Sequence, residues 1–129
     1  MPAQYREFFE LPFEQQHEEM RRLPTDKQID IYLVGMSYVH PPQVGLADDI
    51  AKKGREAIPF LVKRINEEKL DTRRADLMYV LQLMHHTHYD LRDERDVLQQ
   101  LKSVAAEMKD PYEKARAEAI LRDLGVDVK

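Results

Sequence analysis

The side chains best suited to chemistry gather in one short stretch, His85-His86-Thr87-His88-Tyr89-Asp90-Leu91-Arg92-Asp93. If a helix runs through its start, His85 and His88 lie three residues apart and share a face. Two neutral imidazoles with the carboxylate of Asp90 as a third ligand would suit zinc, copper or nickel. The stretch lacks the second ligand pair that HExxH or paired CxxC motifs provide. The competing reading is structural, since histidines at a helix C-terminus meet its free carbonyls and the negative end of its dipole. The other histidines point the same way. His40 precedes two prolines and reads as a loop residue, and His17 shares a face with Phe13 and Met20 and reads as a half-buried packing residue. Asp48 and Asp49 form an adjacent carboxylate pair, but Lys52 and Lys53 follow four residues on, which is the spacing of a solvated helix face.

Nucleophilic chemistry has little to work with. Ser37 and Ser103 are the serines, neither lies in a GxSxG elbow, and there is no cysteine. The four glycines are isolated, so no loop can cradle a phosphate. These absences lead us to expect a non-enzymatic chain with no cofactor. The side chains left for recognition are Arg73, Arg74, Tyr79 and Gln82, with Arg116 and Arg122 further along. Tyrosine and arginine are the types enriched at binding hot spots, and these positions are expected to form a ridge facing a ligand.

Helices must position these groups. The centre of the chain is 54–84, where Ile58, Leu61, Val62 and Ile65 repeat at i, i+3, i+4 and i+7. Pro59 falls in the first turn, where a missing N–H costs nothing. Asp71 or Thr72 is expected to cap the next helix, whose Leu77, Leu81 and Met84 stripe is widened by Met78, Val80 and Leu83. A helix apolar over most of its circumference is buried on more than one side. Upstream, Tyr5, Phe8 and Phe9 predict a short lid helix over 3–10, and Pro12 opens a second that ends near Leu23. Thr25 and Gln28 have the spacing of a capping box for a third helix through Val39, in which Gly35 marks a close crossing. His40-Pro41-Pro42 stops that helix, and a short one follows to a Gly54 cap. Downstream, Asp93 is expected to cap a helix over 94–108. Asp110-Pro111 opens the last, which Gly125 ends.

Length and charge bound the rest. The 129 residues fit one domain and can bury a core without disulfides. A net charge of −4 counts against nucleic acid and anionic membrane as partners. No apolar run approaches the roughly 18–20 residues of a membrane span, so membrane insertion is not expected. The start of the chain lacks a signal-peptide core. A cytoplasmic location is therefore expected, or a periplasmic or secreted one if a leader has been removed.

The chain repeats internally. Ile58, Val62 and Ile65 match Val97, Leu101 and Val104 at an offset of 39, and Ala75, Val80, Leu81 and Met84 match Ala115, Ile120, Leu121 and Leu124 at an offset of 40. Gly54, Ala57-Ile58-Pro59 and Leu61, followed by Asp71, Arg74, Ala75 and Leu81, resemble the HEAT/armadillo type of helical repeat. The stretch 29–54 is similar to small bacterial helical proteins, a similarity that implies no activity. The HEAT resemblance implies an all-α superhelix of stacked antiparallel helix pairs. It would have about seven helices, with 1–43 divergent and 44–86 and 94–125 as repeat-like pairs of a single domain. It further implies a protein or peptide partner bound on a helix-lined surface. A monomer or weak homodimer is expected; the alternative function is a metal protein or enzyme using His85–Asp93.

Overall fold

Each apolar stripe read from the sequence finds a helix to lie against. The computed structural model describes residues 1–128, and among them there are eight α-helices and no strand. They are α1 (Ala3–Glu10), α2 (Phe13–Arg22), α3 (Thr25–Tyr38), α4 (Leu46–Ala51), α5 (Ile58–Glu67), α6 (Asp71–Thr87), α7 (Arg95–Glu107) and α8 (Pro111–Asp123), with a 3-10 turn over Gly54–Ala57. Successive helices alternate between two layers. In one, α1 packs on α3, α3 on α5 and α5 on α7; in the other, α2 packs on α4, α4 on α6 and α6 on α8. The chain is therefore all-α, with helix pairs stacked side by side. The N-terminal helices α1 and α2 follow the same alternation. Among the described residues no helix is long and apolar enough to cross a membrane.

The core lies between the layers and along α6, where Ala75, Leu77, Met78, Val80, Leu81 and Met84 are all fully buried. Ile58, Leu61, Val62 and Ile65 of α5 and Leu101 and Val104 of α7 face it from the other layer. The repeat is thus largely a repeat of environment, with two departures. Ile58 is buried while its counterpart Val97 is half-buried. Ala75 is buried while its counterpart Ala115 is exposed, because α6 has a helix on each flank and α8 ends the stack. Gly35 does mark a close approach: an added Cβ would sit 3.2 Å from the Phe9 ring and 3.1 Å from Gln43. Gly54 takes φ +62° after α4, a conformation that glycine adopts without strain.

Tight corners pose a local problem. The last carbonyls of a helix have no partner inside it, and turns of two or three residues leave little room for water. At four corners the fourth residue of the following helix solves it. Gln16 Nε2 donates to the Leu11 carbonyl at 2.8 Å and Gln28 Nε2 to that of Met20 at 2.7 Å. Arg74 Nε donates to the Glu68 carbonyl at 2.6 Å and Lys114 Nζ to that of Ala106 at 3.4 Å. Asp71 Oδ2 accepts from the backbone N–H groups of Lys109 and Asp110, at 2.8 and 3.0 Å, and so ties one corner to the next. Those bonds, from Asp110 first and Lys109 second, hold its carboxyl below the usual range.

Several expected caps are therefore displaced. Thr25 and Gln28 form no capping box: Thr25 lies inside α3 and its Oγ1 accepts from Lys53 Nζ at 3.0 Å, while Gln28 is engaged at Met20. Asp71 is the first residue of α6 rather than its cap, and Glu94, not Asp93, precedes α7. Asp110 caps α8 as expected, accepting from Tyr112 and Glu113.

Arg74→Met removes a charged donor from a carbonyl with no other partner in its own helix, and is expected to destabilise by about 1.5–3 kcal/mol. Arg122→Met, at an exposed position, should change stability by less than about 0.5 kcal/mol. Urea unfolding of the two variants checks the contrast.

Candidate functional site

The even-numbered layer carries most of the residues singled out from the sequence, and histidines span each of its junctions. Between α2 and α4, His17 Nδ1 lies 2.5 Å from Asp49 Oδ2. Between α4 and the end of α6, His88 Nε2 lies 3.0 Å from Asp48 Oδ1. Between α6 and α8, His86 Nε2 lies 2.6 Å from Asp123 Oδ2, and Gln82 donates to the same oxygen at 2.8 Å. Asp49 is buried, contrary to the solvated face expected for it, and its neighbour Lys53 reaches the Leu23 carbonyl instead. Only Asp48 keeps the predicted lysine, Lys52 at 3.2 Å. Burial acts to raise the Asp48 carboxyl, but hydrogen bonds from His88 and Lys52 outweigh it and the net shift is downward. Gln82 and then His86 lower that of Asp123.

His85 Nδ1 comes within 3.4 Å of Asp90 Oδ1, but His88 is turned away to Asp48, so the three do not converge on one point. His85 Nδ1 accepts the Leu91 N–H at 3.0 Å, which in the neutral ring leaves the proton on Nε2. This bond, together with the full burial of Leu91, pins the connection between α6 and α7. Asp90 is gripped by Arg92, whose side chain and N–H bring its carboxyl down to about 2. Among the described residues, no three His, Asp or Glu side chains gather as a metal ion requires.

The expected ridge divides into separate settings. Arg73 lies 3.7 Å from Glu68, beside Arg74, at the start of α6. Tyr79 is half-buried against the core. Gln82 is engaged at Asp123, and Arg122 is exposed. Arg116 turns inward: its Nη1 lies 2.8 Å from Asp76 Oδ1 and 3.2 Å from Glu113 Oε2. Both carboxylates are buried, and Tyr32 OH crosses from α3 to donate to the Asp76 carbonyl at 2.8 Å. Burial raises the Asp76 carboxyl, with Arg116 opposing. Removing Arg116 would leave that charge without its partner.

One feature escaped the sequence reading. On the odd-numbered layer a groove of about 420 Å³ runs between α5 and α7. Ile58, Val62 and Val97 give it an apolar floor. Asn66 Nδ2 donates to Gln100 Oε1 across one end, at 3.4 Å, and Arg55 meets Glu94 across the other, at 3.5 Å. The signal for it was the repeat itself. Ile58 and Val97 are equivalent positions on neighbouring first helices, and such helices leave a furrow wherever their facing side chains are small.

Arg116→Ala is expected to cost about 3–5 kcal/mol by stranding Asp76, whereas Asp76→Leu with Arg116→Met should cost much less than the two single changes added together. A double-mutant cycle in urea reads the difference. The lowered carboxyls of Asp48, Asp71 and Asp123 favour the folded state above the unfolded value of about 3.9, and that contribution disappears as pH falls through their folded values. Asp76 has the opposite sign. Asp90 adds to the trend set by Asp48, Asp71 and Asp123, so unfolding midpoints should drop as pH falls through about 4 and on towards about 2, and Asp123→Asn should flatten the slope.

No family model, curated protein or solved structure matches the chain.

Proposed function

We propose that the chain is a non-catalytic interaction module of HEAT-like construction that holds a protein or peptide segment in the α5–α7 groove. The repeat offset of 39–40 residues and the two-layer alternation of helices support the HEAT-like assignment. The groove carries the functional reading. It has an apolar floor, and at one end two exposed amides that together offer donors and acceptors to a peptide backbone. Its volume falls within the usual range for ligand clefts. Three imidazoles of the opposite layer, His17, His86 and His88, are engaged with aspartates that tie helix to helix, which fits a scaffold better than a reaction centre. The recognition surface then lies on α5 and α7, and not on α6 and α8, which carry the expected ridge of Arg73, Arg74, Tyr79, Gln82, Arg116 and Arg122.

Amide chemical-shift mapping of the 15N-labelled chain, titrated with a pool of proteome-derived peptides, tests it. Shifts are expected to cluster at 58–66 and 94–100. Shifts confined to α4, α6 and α8, or none at all, would rule the groove out.

A further inference from the structure

We infer that the segment held in the α5–α7 groove carries a carboxylate next to an aliphatic or aromatic side chain; this deepens the reading above and rests on it. The chain as a whole is at −4, yet the groove is lined by two cations and one anion, Arg55, Lys63 and Glu94. The anion is already committed, because Glu94 Oε1 accepts from Tyr89 OH at 2.7 Å and lies 3.5 Å from Arg55. Lys63 is exposed and makes no ion pair among the described residues. A solvated lysine is ordinary by itself, but this one stands on the wall of an apolar-floored groove. A ligand seated there would strip water from the ammonium, and a buried cation without a partner is costly. A carboxylate on the ligand removes that cost and gains a charge-assisted hydrogen bond.

Dimensions set the size of the segment. From Ile58 to Asn66 the groove follows about 12 Å of α5 at ~1.5 Å per residue, enough for roughly four residues of extended chain at ~3.3 Å each, and Arg55 in the preceding 3-10 turn lengthens it. Lys63 lies toward the Asn66 end, so the acidic residue sits near the amide pair and the apolar residue over Ile58, Val62 and Val97. The overall negative charge does not oppose this at physiological salt. Beyond a Debye length of about 8 Å exposed charges are largely screened, and the contact with Lys63 is far shorter than that.

Selection of phage-displayed random heptapeptides on the immobilised full-length chain tests the inference. Enriched peptides are then synthesised and measured by fluorescence polarisation against the wild type, Lys63→Glu and Gln100→Trp. Both variants change exposed positions, and circular dichroism confirms that they fold. Enriched sequences should pair Asp or Glu with Leu, Ile or Phe. Lys63→Glu should weaken them about tenfold, as should Glu→Gln in the peptide, and Gln100→Trp should block binding by filling the groove. Peptides without an acid that are still blocked by Gln100→Trp would overturn the carboxylate and leave the groove standing. Peptides indifferent to Gln100→Trp, or no enrichment at all, would overturn both.

Discussion

A helix that is apolar over most of its circumference can leave only a narrow face to water, and α6 is such a helix. Its buried residues include neighbours in sequence, Leu77-Met78 and Val80-Leu81, which point to different flanks. One amphipathic partner could not cover them. They require α4 on one flank, α8 on the other and α5 across the layer, which is the packing observed. The two-layer stack follows from this need more than from helix propensity, since short helices are marginal in water and most of their stability comes from packing.

Once α6 is enclosed, the polar groups carried into its surroundings must be matched. Asp76 enters the junction with α8 and is met by Arg116. Histidines and aspartates that border the junctions bond across them instead of facing outward. A residue type associated with reactivity is here occupied by construction. The same matching operates at the corners, where glutamine, arginine or lysine at the fourth helical position bonds a carbonyl at the end of the preceding helix.

What the sequence revealed and what it concealed divide along one line. Helix positions, the Gly54 stop, the Asp110 cap and the inward faces of α5 to α8 were legible, because periodicity and local backbone chemistry determine them. The roles of individual polar side chains were not. Asp49 reads as a partner of Lys53 by spacing, and Thr25 with Gln28 reads as a capping box, but in each case a residue remote in sequence offers the better bond: His17 for Asp49, Lys53 for Thr25, the Met20 carbonyl for Gln28. Arg116 has the composition of a hot spot and the surroundings of a core residue. The groove was hidden for another reason. It belongs to the space between two helices, and neither helix encodes it alone.

Helix α4 spans only Leu46–Ala51, and adjacent aspartates within it are gripped from opposite sides, Asp49 by His17 of α2 and Asp48 by His88 at the end of α6. Six residues are too few to stay helical unaided. This short segment therefore acts as a keystone, coherent only while both flanking arches stand. Detaching the N-terminal quarter would melt it, and with it the wall on which α6 leans, so the stack should come apart as one piece instead of peeling unit by unit from its front end.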